Sequence, residues 1–127
     1  TYIPKSYISS DRQRMDVYRR ISVTQDPADL KNMREELTDL FGKIPEQVEM
    51  LLDLADIRIR ASKRNIKSLT VSNLDLVFKF DTHKGLKDLF ARAPGKVRVI
   101  DKTTVNIRLT KNYFEPRTLM AVLRKLL

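Results

Sequence analysis

Cysteine and tryptophan are absent, histidine occurs once, and glycine only three times in 127 residues. Without cysteine there are no disulfides, thiol nucleophiles or thiolate metal sites. With His83 as the only imidazole, no histidine pair, zinc cluster or histidine-based triad can be assembled, and beside Asp81 it reads as ordinary surface. The glycines stand far apart at Gly42, Gly85 and Gly95, and none opens a G-x-x-x-x-G-K phosphate loop. No apolar run approaches a membrane span. The chain begins Thr1-Tyr2-Ile3-Pro4 with neither a basic-then-apolar leader nor an initiator methionine, and so reads as a piece of something longer. Carboxylates do cluster, as Glu35-Glu36 with Asp39 and as Asp53 with Asp56, but their positions on charged helix surfaces predict none of the burial that acid–base catalysis requires. No cofactor is expected.

What is present is a 42% hydrophobic, 32% charged chain of the length of one domain, residues 1–127, large enough for a core of its own. Lys and Arg number 25 against 16 Asp and Glu, a net charge of +9. That excess suits a phosphate backbone or an acidic protein surface; spread along the chain without a block of five or six, it equally suits a solvated face.

Residues 1–9 read as an extended arm, with Tyr2-Ile3-Pro4 and Tyr7-Ile8 supplying its apolar side chains. Ser10 to Gln13 fits a capping box, and Met15, Tyr18 and Ile21 follow at helical spacing, predicting a helix from Asp11 to Val23. Asp26-Pro27 repeats the start signal for a second helix to Phe41, with Leu30, Met33, Leu37 and Phe41 as its apolar stripe. Gly42 is the stop, expected in the left-handed conformation, and Pro45 opens a third helix to about Arg64 with Val48, Leu51, Leu52, Ala55, Ile59 and Ser62 inward. Arg58, Arg60, Lys63 and Arg64 complement the C-terminal end of that helix dipole. Asn65 takes the C-cap.

Beyond Asn65 the period changes from helical to alternating. Ile66–Val71 and Asp75–Phe80 predict one hairpin, with Leu76, Phe78 and Phe80 on one face. A short helix capped by Thr82 carries Leu86, Leu89, Phe90 and Ala93. Lys96–Val99 and Val105–Leu109 predict a second hairpin turning at Asp101–Thr103, and Pro116 opens a last helix with Leu119, Val122, Leu123 and Leu126 on one side. The fold class is α+β: a three-helix region, then two antiparallel hairpins separated and followed by helices, as one domain.

One local rule is broken. Glu36 and Asp39 share a face in the last turns before Gly42, where the helix dipole disfavours acids. A broken local rule directs attention to function.

Arg14 with Tyr18, Glu36-Leu37-x-Asp39-x-Phe41-Gly42, Ile44-Pro45, and Arg58 with Ala61, following the Ile3-Pro4 and Tyr7-Ile8 lead-in, resemble the C-terminal domain of bacterial transcription-repair coupling factor. The specific motifs lie before about Ile66; later the match is one of pattern. The resemblance implies a non-catalytic regulatory clamp within a cytoplasmic DNA translocase that engages RNA polymerase and DNA. Such a clamp folds back on the N-terminal repair module of its own chain and competes with UvrA, the damage-recognition subunit. It implies that Glu36 and Asp39 face arginines of that module. Leu40 stands in the contact where the family commonly has arginine. Phe41 is assigned to the core, and Gly42 and Pro45 to the geometry that aims the acids. The other expectation, from charge alone, is an accessory DNA-binding module using Lys96, Arg98 and Arg108 on outward strand positions.

Overall fold

A computed structural model describes residues 2–81 and 86–127; the expected cap Thr82, together with His83 and Gly85, lies outside the described residues. The chain forms two compact units, Thr1–Ile59 and Arg60–Leu127.

In the first unit, helix α1 spans Asp11–Val23, and the Ser10 hydroxyl caps it by accepting from the Gln13 amide at 3.2 Å. Helix α2 spans Pro27–Phe41, with Pro27 in the first turn and the Asp26 carboxylate accepting from the Ala28 amide at 3.0 Å. Both starts fall where the capping residues predict, because a cap satisfies amides that the helix itself cannot. Helix α3 spans Glu46–Lys63; its residues after Ile59 belong to the second unit. Pro45 therefore stands just before the helix rather than in it, and its carbonyl accepts from the Val48 and Glu49 amides at 3.0 Å.

The core of this unit joins Ile3 and Ile8 of the arm to Val17, Ile21, Leu30, Met33, Leu37, Val48, Leu52, Ala55 and Ile59. Two sequence expectations change. The arm is not extended throughout, because the Tyr7 and Ile8 amides turn back to donate to the Pro4 carbonyl. Met15 is 67% exposed, and α1 instead buries Val17 with Ile21. Met15 and Val17 are two residues apart, about 200° around a helix, so only one can face the core.

In the second unit Asn65, with φ 60°, ends α3 in the conformation asparagine tolerates. Strands β1 (Ile66–Ser72), β2 (Asp75–Phe80), β3 (Lys96–Asp101) and β4 (Thr104–Arg108) form one antiparallel sheet in the order β1-β2-β4-β3. The two predicted hairpins are thus joined through β2 and β4, placing Leu76 opposite Ile107 and Phe78 opposite Val105, all buried. Helix α4 (Lys87–Ala91) sets Phe90 edge-on to Phe78 at 5.8 Å. Helix α5 (Pro116–Leu126) buries Leu123 and Leu126, its first turn capped by Glu115. A 3-10 turn at Lys111–Phe114 had no periodic signal to announce it. Gly95 is required by contact: a Cβ there would lie 2.0 Å from the Arg108 carbonyl oxygen.

Candidate functional site

The end of α2 is braced by the arm. Tyr7 of the arm places its hydroxyl 2.9 Å from the Gly42 carbonyl, just past the helix end, and 3.1 Å from that of Leu37, and its ring lies 5.8 Å from Phe41. Burial raises the Tyr7 pKa, which keeps the hydroxyl a donor. Gly42 has φ 89° and ψ −163°, and its amide donates to Thr38 at 3.0 Å. Its φ is positive as expected, but ψ is extended rather than left-handed helical, a region open almost only to glycine. A Cβ would meet nothing within 4 Å, so the requirement is conformational and not steric.

The resemblance motifs before and after α2 act as struts. Arg14 donates to the Ile8 carbonyl at 2.7 Å, and the Tyr18 hydroxyl accepts from the Ile3 amide at 2.6 Å, so both fix the arm. Arg58 reaches back to the C-terminal end of α1, donating to the carbonyls of Ile21 and Thr24 at 2.9 Å each. It serves the dipole of α1, not that of its own helix as the sequence suggests. Arg34 bridges α2 to Glu49 and Asp53 of α3. Asp56, expected on the surface, is only 9% exposed.

On that frame stand Glu36, Asp39 and Leu40, all exposed. Glu36 has a partner within the unit: Arg20 of α1 donates to its two carboxylate oxygens at 2.6 and 3.2 Å. That bond holds the Glu36 pKa below its ordinary value, and Arg20 is correspondingly raised. The broken rule is therefore repaired for Glu36 by a residue 16 positions earlier. The Asp39 side chain makes no hydrogen bond or ion pair among the described residues. Leu40 is 65% exposed, as is Met15 at 67%, and between α1 and α2 runs a groove of about 1030 Å³ lined by both, with Arg19, Arg20, Glu36 and Phe41. Phe41 is half-buried, packing against the core while also lining the groove. Leu40 and Met15 form an apolar spot that no charge pattern in the sequence announces.

The second surface is the outward face of the sheet. Register puts Arg108 between Asp75 and Lys96, and Arg98 opposite Asn106 one rung along. Lys96, Arg98 and Arg108 thus share one face, as their alternation predicts. Arg108 grips Asp75 through two bonds of 2.8 and 3.0 Å, which hold the Asp75 pKa down.

Charge divides between the units: the first carries 9 basic and 11 acidic residues, net −2, and the second 16 and 5, net +11. Inspection for basic blocks misses this because the excess is diluted over a whole unit. Among the described residues no three acidic, histidine or cysteine side chains are grouped as metal ligands, and no helix is long and apolar enough to cross a membrane.

These elements define an α+β domain that presents a helical-hairpin surface and a basic sheet face. The TRCF domain family model matches residues 1–91, and the chain belongs to that family, the C-terminal domain of transcription-repair coupling factors. It is 30% identical over 87 residues to the transcription-repair-coupling factor of Rickettsia bellii (strain RML369-C), covering 68% of this chain and 8% of that protein. Against the transcription-repair-coupling factor of Borreliella burgdorferi identity is 33% over 79 residues, covering 62% and 7%. This chain therefore spans less than a tenth of the length of these curated relatives. A crystal structure of the C-terminal domain of transcription-repair coupling factor superposes with a TM-score of 0.76 at 19% identity, over 99% of this chain and 88% of that one. The shared fold extends past residue 91, where the family model stops.

Proposed function

We propose that the chain is the non-catalytic regulatory domain of a longer coupling factor, holding the N-terminal repair module of the same protein through the α1–α2 surface and masking the face that module offers to UvrA. The observation that carries this reading is the pairing, on one exposed hairpin, of an acid without a cation, Asp39, with an apolar spot, Leu40 and Met15. Neither serves the fold in which it sits. Asp39 suits a cation of the module, and Leu40 suits an apolar side chain entering the groove. Glu36, already held by Arg20, contributes an oriented acceptor that a partner's guanidinium can share, not a free charge. The net −2 of this unit suits a basic partner.

The mechanism is competition. A tethered domain acts at effective concentrations near ~1 mM, so a weak interface suffices to cover a site until a change elsewhere releases it. The test is binding in solution: the 127-residue chain should bind the separately purified N-terminal module weakly, UvrA should displace it, and Asp39→Ala should weaken the binding while Lys31→Ala should not. A chain that binds the module equally well under excess UvrA would overturn the masking role.

A further inference from the structure

We infer a second binding surface, on the outward face of the sheet, that takes the phosphate backbone of duplex nucleic acid. The inference is independent of the clamp, because it rests on a different unit and different residues.

Three rungs cross this face: Ser72, Asp75, Arg108 and Lys96; Thr70, Val77, Asn106 and Arg98; and Ser68, Lys79, Thr104 and Asp101. They hold four cations, Lys79, Lys96, Arg98 and Arg108, all exposed. Like charges directly opposite one another in a sheet are unfavourable, yet Lys96 faces Arg108 across the β3–β4 pair with Arg98 on the next rung. Asp75 bonds only Arg108, and attracts Arg98 at longer range. Lys79 and Lys96 have no ion-pair partner among the described residues. An arrangement that repels itself and lies open is accounted for by an anionic ligand that neutralises it.

Other arginines of this unit are committed to the fold. Arg60 donates to the Arg124 carbonyl, Arg64 to Leu127, and Arg92 to Lys125 and Leu126, all at the end of α5. Such use at a helix C-terminus is structural. Apart from the Arg108–Asp75 bridge, the sheet cations have no comparable role.

The chemistry of the rungs narrows the ligand. They contain no aromatic side chain, so they offer no platform on which unpaired bases could stack. Val77 is their only large apolar residue and is half-buried, which leaves little to enter a lipid surface. Lys96 and Arg98 are two residues apart on one strand, roughly 6.8 Å, a spacing suited to successive phosphates of one nucleic-acid strand. Contacts to phosphate alone read no sequence.

The test is fluorescence-anisotropy titration of labelled 20-base-pair duplexes of two unrelated sequences, from low to physiological salt. The 127-residue chain is compared with Lys96→Ala/Arg98→Ala, Lys79→Ala, and the control Arg12→Ala/Lys31→Ala, each with its melting temperature checked. Four phosphate contacts predict a slope of log affinity against log salt near −3.6, equal for both duplexes, and the double variant should lower its magnitude by about 1.8. The single variant should lower it by about 0.9, and the control should leave it unchanged. An unchanged slope in the folded double or single variant overturns the assignment. So does a preference for one duplex sequence, or tighter binding to phosphatidylglycerol vesicles or polyglutamate than to duplex.

Discussion

Arg20 and Glu36, 16 residues apart, meet through two hydrogen bonds that tie the last turn of α1 to the last turns of α2. The acid that appears misplaced in the sequence is balanced by a cation from the neighbouring helix, while Asp39, three residues on, is not. The pair is 40% and 44% exposed, so its net worth is that of a surface ion pair, about 0.2–1 kcal/mol. Glu36→Ala should leave the stability of the isolated chain nearly unchanged, since the lost pair offsets the relief of the dipole, whereas Asp39→Ala should stabilise it by about 0.3–1 kcal/mol. Urea denaturation of both variants checks this; equal destabilisation by the two would contradict the distinction.

Acid should weaken the fold through identifiable carboxyls. Glu36 and Asp75 have folded pKa values below their ordinary 4.5 and 3.8, because Arg20 and Arg108 donate to the ionised forms. Their contribution is fully present above those ordinary values and is lost as pH falls through the lower folded ones. In Arg20→Met and Arg108→Met the fall of melting temperature below about pH 4.5 should be shallower than in the parent chain. Identical profiles would show that the two pairs do not couple to folding.

Gly42 at φ 89°, ψ −163° occupies a region that side chains avoid. Gly42→Ala should cost about 1–3 kcal/mol, and Gly42→Asn should not rescue it, as it would at a true left-handed cap. Thermal melts of both against Lys43→Ala provide the check. A Gly42→Asn protein as stable as the parent would mean that the backbone there adopts the left-handed helical conformation.

The helix starts and the strand phases were legible because their signals are local: Ser10 and Asp26 cap within three residues, and Leu76, Phe78 and Phe80 alternate. The extra 3-10 turn had no period to read. The inward face of α1 is not legible, because Met15 and Val17 compete for it and the core that selects Val17 with Ile21 is assembled by the arm, α2 and α3 together. In the candidate site, the positions of Glu36, Asp39 and Leu40 were readable from the helix stop at Gly42. Their chemistry was not, since the Arg20 partner, the Met15 neighbour and the Tyr7 brace all depend on how α1, α2 and the arm pack. Likewise Lys96, Arg98 and Arg108 could be set on one face from alternation, but the Asp75 grip requires β2 to pair with β4.

Arg58 bonds the Ile21 and Thr24 carbonyls at the end of α1, a pairing that spacing in the sequence does not foretell, and Thr24 is buried. Arg58→Met should destabilise by about 1.5–3 kcal/mol, with Arg58→Lys recovering only part, because an ammonium lacks the planar fork. Amide exchange in residues 20–26 should accelerate in Arg58→Met. Unchanged exchange there would remove Arg58 as the strut of that helix end.

The masking role is tested most directly by UvrA capture with the intact parent coupling factor, comparing the parent sequence with Asp39→Lys/Leu40→Ser in this domain. Loss of about 1.4 kcal/mol of clamp contact would shift the closed population by up to tenfold. The account predicts that the double variant captures several-fold more UvrA without any added trigger, while the isolated domain keeps its melting temperature. Equal capture by parent and variant, with the fold preserved, would contradict it.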